Sequence, residues 1–267
     1  MSFQTARFGR TVIAVALMAA VTIPTAAAPA SGQSNPISNE SRTALTSDGT
    51  DGHRHGEMPV WTDEPKIADH PVAQSSAPPT VNLDYSQAPD LEPIAVRAQA
   101  VLEEWYPRIS EMLPTEGYVP PQEFDVVFDP TYDGAAAVSG TTMTVGADYL
   151  RGHPDDLGMF VHEAVHINQQ YGSNNVPGWL TEGIADYIRY YHFQPDSNPI
   201  PGEERTHYTD GYGQAAFLLE HVQTVYTDAF VAAANDAARR NVYAPALWVD
   251  HTGKDTETLW SEAVAGA

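Results

Sequence analysis

The 267-residue chain contains no cysteine. That excludes disulfide staples, cysteine-ligated metals and thiol nucleophiles, so stability must come from a core or from a metal held by other ligands. Lysine is nearly absent, with only Lys66 and Lys254, and acids outnumber bases 35 to 13 for a formal net charge of −22. A surface of that sign repels nucleic acid and anionic lipid, so neither is expected as a partner. After residue 30 no apolar run is long enough to span a membrane, and no stable membrane association is expected.

The first 30 residues read as an export signal. Arg7 and Arg10 supply a positive start, Thr11 to Ile23 a short apolar run, and Ala26, Ala27, Ala28 and Ala30 small-residue cleavage sites. Residues 1–30 hold no acid, so their removal takes the net charge from −22 to −24. The protein is therefore expected to be secreted. Residues 31–80 are rich in Ser, Pro, Asp, Asn and Gly without a sustained apolar period, and read as a disordered linker or pro-segment. His53, His55 and His70 there read as solvated histidines, and isolated Trp61 has no assigned role. The folded domain is expected over 81–267, about 190 residues and enough for one sizeable core.

Within it, Asp90 is placed to cap a helix with Pro93 in its first turn. Ile94, Ala98, Leu102, Trp105, Ile109 and Leu113 follow helical spacing, and Pro107 should kink or split that element. Glu123 to Phe128 alternates as a strand. Ala135–Val138 and Thr141–Val145 flank Ser139-Gly140 as a hairpin. The threonine-rich second arm is a candidate edge strand, able to pair with an extended peptide. Helices are expected after Asp210-Gly211-Tyr212, over Phe230–Ala238, and around Leu259, Trp260 and Val264.

The chemistry concentrates between His162 and Asp186. His162 and His166, at i and i+4, share one helix face, and their imidazoles can converge on one cation at roughly 2.0–2.1 Å. Asp155 and Asp156 precede the helix as N-terminal acids, and Gly172 follows as its stop. A tetrahedral zinc site that is open to water needs a third protein ligand. Glu182 is the candidate, on a second helix returning beside the first. Asp186, one turn further, can accept the outer ring N–H of a ligand histidine. Glu163 is left to take the proton of a water at the open position. Acids in such apolar surroundings are costly unless paired or metal-bound.

These residues resemble the plant basic secretory protein family, which has bacterial members and belongs with the zincin metallopeptidases. The resemblance rests on His162-Glu163-Ala164-Val165-His166, with Gln169 or Gln170 shortly after, and on the run from Pro177 to Arg189. Asp210-Gly211-Tyr212, Phe217-Leu218 and Gly253-Lys254 leading to Leu259-Trp260-Ser261 add to it. It covers most of residues 81–267. It implies an α+β, zincin-like metallopeptidase fold with a small β-sheet and a helical zinc-binding core. It further implies zinc on His162 and His166, with Glu182 as third ligand by analogy with glutamate-liganded zincins, and Glu163 as general base. Plant members are basic and this chain is acidic, so surface-dependent preferences do not carry over.

The expected reaction is hydrolysis of a peptide or protein substrate, with Glu163 moving a proton from water to the leaving amine. Tyr212 is the candidate donor to the developing oxyanion, a packed aromatic being the equally open alternative; His207 and His221 are weaker candidates. Two other readings stand beside it. One is a non-catalytic secreted or cell-wall-associated protein stabilised by zinc, and the other a zinc hydrolase of non-peptide amides. The sequence assigns neither oligomeric state nor cleavage preference.

Overall fold

Alternating apolar residues build the sheet. β1 (Thr80–Asp84), β2 (Glu123–Asp129), β3 (Ala136–Ser139) and β4 (Thr142–Gly146) assemble in the order β1-β2-β4-β3. β1 with β2 and β2 with β4 are parallel, and β3 closes antiparallel on β4. The registers Val81↔Phe124, Val126↔Met143 and Phe128↔Val145 bring six side chains into one buried layer, as the period-two pattern of β2 requires. Gly140 supplies the positive φ of 62° that the β3–β4 turn needs. The computed structural model describes residues 77–172, 174–197, 199–200 and 205–266. All lie in the unit Ile67–Ala267. The signal-peptide and linker readings up to residue 76 lie outside them, as do His53, His55, Trp61 and His70.

Eight α-helices accompany the sheet among the described residues, giving a mixed α+β fold. α1 (Glu92–Met112) is the crossover between parallel β1 and β2 and packs on α3 (Gly158–Gln169). α4 (Gly178–Ile188) lies between α3 and α5 (Tyr212–Val225). α2 (Ala147–Gly152), α6 (Phe230–Arg239), α7 (Ala246–Thr252) and α8 (Thr256–Ala265) complete the set. Every residue of α3 except His166 is buried, so it is a core helix with no solvent face. No helix among the described residues is long and apolar enough to cross a membrane.

Several local expectations change. Asp90 does not cap α1. It sits in a 3-10 turn, Pro89–Leu91, and pairs with Arg151 at 2.8 Å. Pro107 does not split α1, which runs unbroken through it. The carbonyl that loses its partner belongs to Glu103, a half-buried residue. The threonine strand β4 is interior, paired on both sides, and of the two hairpin arms β3 is the one at a sheet edge. α3 stops at Gln170, in a left-handed conformation at φ 44°, before Gly172 is reached. Its amide offsets that strain by donating to Gly140 O at 2.8 Å and Ile167 O at 3.0 Å. α2 and α7, at six and seven residues, are too short to show a sequence period.

Two contacts fix the helices that matter. Arg239 on α6 donates to Leu113 O, Asn168 O and Gln169 O at 3.0–3.3 Å, clamping the carbonyl ends of α1 and α3. Gly183 lets α4 lie hard against α5, since a β-carbon there would fall 2.5 Å from Ala215 Cβ. A glycine-to-alanine change inside a helix ordinarily gains about 1 kcal/mol. Here overpacking wins, so Gly183→Ala is expected to cost about 1–3 kcal/mol in denaturant midpoint measurements. Adding Ala215→Gly should recover part of the loss. A gain in stability from Gly183→Ala alone would show that this contact is not tight.

Candidate metal centre

The helical repeat sets His162 and His166 on one face of α3, and α4 brings Glu182 against them. His162 Nε2 and His166 Nε2 lie 3.1 Å apart. Glu182 Oε2 lies 3.2 Å from the first and 3.3 Å from the second. A tetrahedral ion with bonds of roughly 2.0–2.1 Å has ligand-to-ligand edges of about 3.3–3.4 Å. The triangle therefore has the dimensions of one face of such a site, and these three residues form a group able to hold a metal ion.

The outer nitrogens fix the tautomers. His162 Nδ1 donates to Asp186 Oδ1 at 2.7 Å, a contact in which both side chains are buried. His166 Nδ1 donates to Gln169 Oε1 at 2.8 Å. The Gln169 amide is oriented by its own N–H to Thr181 O at 3.1 Å. Both Nε2 lone pairs of the neutral rings then face the same point. Such convergence is repulsive unless a cation or a proton lies between them. Asp186 has its expected position. The role of Gln169 went unread because a glutamine at i+3 on an apolar helix carries no signal distinct from a polar spacer.

The charges agree with this. Burial alone would lower His162, but its hydrogen bonds to Asp186 and Glu182 outweigh it and lift the pKa to about 9. Burial would raise Glu182, and its bonds to His162 and His166 bring it instead to about 2. Glu163 is pushed up by burial, opposed by the two imidazoles. Its Oε2 is buried without any hydrogen-bond partner among the described residues, an expensive state for a carboxylate unless something binds there.

These groups open onto a cavity of about 1190 Å³. The β3 edge lines one part of it, and Met159, Arg189 and Tyr190 another. Tyr212 also lines it. The residue has the positive φ of 47°, follows Gly211 at 78°, and is 55% exposed. Its ring lies nearly parallel to that of His162, 6.1 Å away. The carboxylate of Glu182, with some burial, raises its hydroxyl pKa, which keeps it a donor. It is not a packed core aromatic. His207 and His221 do not line the cavity; His207 pairs with Glu257 at 3.2 Å.

With no metal bound, the proton held by His162 contributes stability fully below pH 6.5 and loses it as pH rises through about 9. A metal ion entering at pH 7 must displace that proton. Calorimetric titration of zinc in buffers of different ionisation enthalpy should thus register about one proton released per ion at pH 7. Release should shrink above pH 9, and no release at pH 7 would contradict the site.

No curated protein and no solved structure matches the chain. A family described as BSP, peptidase of plants and bacteria, matches residues 97–263, spanning every residue of the triangle and of the cavity described above. The chain belongs to that family.

Proposed function

We propose that the protein is a secreted, zincin-type zinc metallopeptidase. The observation that carries this reading is the unpartnered Glu163 Oε2, beside a three-donor triangle that faces a cavity. Two imidazoles and one carboxylate suit zinc among the common divalent ions. When bound, zinc polarises a carbonyl and acidifies water at its open position.

The chain's own residues supply the rest. Asp186 and Gln169 hold the outer ring nitrogens, which leaves both Nε2 atoms turned toward the metal position. Glu163, raised by burial, accepts the proton of the attacking water and returns it to the leaving amine. Tyr212 donates its hydroxyl to the oxyanion that develops. The unpaired edge of β3, which lines the cavity, offers main-chain hydrogen bonds to an extended peptide. Secretion rests on the charged, apolar and alanine-rich order of residues 1–30. A zinc-stabilised binding protein is disfavoured, because structural zinc sites are closed by four protein ligands, and only three donors group here among the described residues.

Glu163→Gln should bind zinc with unchanged stoichiometry yet lose about 10²–10⁴-fold in peptide hydrolysis, because an amide cannot accept the water's proton. Tyr212→Phe should lower kcat with little change in KM. Full activity of Glu163→Gln against a mixed peptide library would remove the proposed base.

A further inference from the structure

We propose that Arg189 determines specificity by receiving a carboxylate of the substrate at the end of the cavity beside the first turn of α3. The nature of that substrate, a peptide, rests on the peptidase reading; the carboxylate recognition does not.

Arg189 immediately follows α4 and opens a five-residue π-helical turn, Arg189–Phe193, whose wide bond closes from Gln194 N–H to Arg189 O at 2.8 Å. Such turns are rare and recur at functional sites. The side chain lies against the start of α3. A β-carbon on Gly158 would fall 2.8 Å from Arg189 Nε. His162 follows Gly158 by four residues, about 6 Å of helix. The guanidinium is therefore roughly one turn from a metal ligand, in the same cavity.

Among the described residues, Arg189 is the only lysine or arginine lining that cavity, whereas Glu163, Glu182 and Asp186 also line it. A substrate carboxylate is repelled by those acids and has one cation to meet. The guanidinium is also pre-set. Nη2 donates to Asp156 Oδ1 at 2.7 Å, and the group lies over the Tyr190 ring at 4.8 Å. The side chain is 19% exposed. Asp156 does not exhaust it. That carboxylate also accepts the Tyr149 hydroxyl at 2.7 Å and the Met159 N–H at 3.2 Å, which places its charge at the positive end of α3. Nη1 meets no acceptor among the described residues. A guanidinium presents a planar fork of donors that matches a carboxylate, and ordering it in advance removes entropy that binding would otherwise cost. The carboxylate has two chemical sources, an Asp or Glu side chain or the free C-terminus of the peptide.

The test uses the full-length, zinc-loaded Glu163→Gln protein as a trap. It is equilibrated with a peptide library carrying Glu and Gln in equal amounts at each position, made with free and with amidated C-termini. Bound peptides are read by mass spectrometry. Enrichment of about tenfold is expected, either of Glu over Gln at one position or of free over amidated termini. The two arms distinguish the sources. Adding Arg189→Gln should flatten the enrichment, and Arg189→Lys should keep part of it. Thermal unfolding and zinc content report whether each variant is folded. If Arg189→Gln does not fold, the parent's enrichment and its reduction in Arg189→Lys decide. Equal binding of Glu and Gln peptides and of both termini, no peptide binding at all, or enrichment that survives removal of the guanidinium would overturn the proposal. Cleavage of the same library by the wild-type protein is scored separately. No cleavage with intact enrichment would refute the peptidase reading and leave the carboxylate site standing.

Discussion

Two imidazole nitrogens and a carboxylate oxygen lie within 3.3 Å of one another in a largely buried place, and the rest of the structure serves to keep them there. They are held because α3 cannot turn, being wrapped by core on almost every side. α4 cannot back away either, because Gly183 seats it on α5. The rings cannot flip, because Asp186 and Gln169 hold their outer nitrogens. A scaffold that holds such donors in place suits a metal site, since the binding energy then need not order the ligands.

The sheet contributes less to the metal than to access. Its buried face supports α1 and α3, and β3, one of its two edge strands, lines the cavity. The cavity is asymmetric in charge. Acids gather at the triangle, and the lone guanidinium stands at the start of α3. The strong negative charge of the chain is thus not uniform at the place where a substrate would lie.

Much of this site was legible from spacing. His162 pairs with His166, and Glu182 with Asp186, because the helical repeat puts i and i+4 on one face, a rule that sequence reads directly; the packing of α4 on α3 brings the two pairs together. The strand β2 and the hairpin about Gly140 were legible for the same reason, through a period of two and a turn glycine. What stayed hidden depended on contacts distant in sequence. Which arm of the hairpin is the edge depends on β2 pairing with β4, which no local pattern encodes. Gln169 and Arg189 look like ordinary polar residues until Thr181 and Asp156 are placed beside them. Of the kink or split that Pro107 predicts, the split does not occur, since α1 continues through the proline.

The most direct test of the account is X-ray absorption at the zinc edge of the full-length protein loaded with one equivalent of zinc. The account predicts two imidazole nitrogens and one carboxylate oxygen at roughly 2.0–2.1 Å, with a further light-atom ligand from solvent. It also predicts that Glu182→Gln changes that spectrum. A single imidazole in the coordination sphere, or a spectrum that Glu182→Gln leaves untouched, would contradict it.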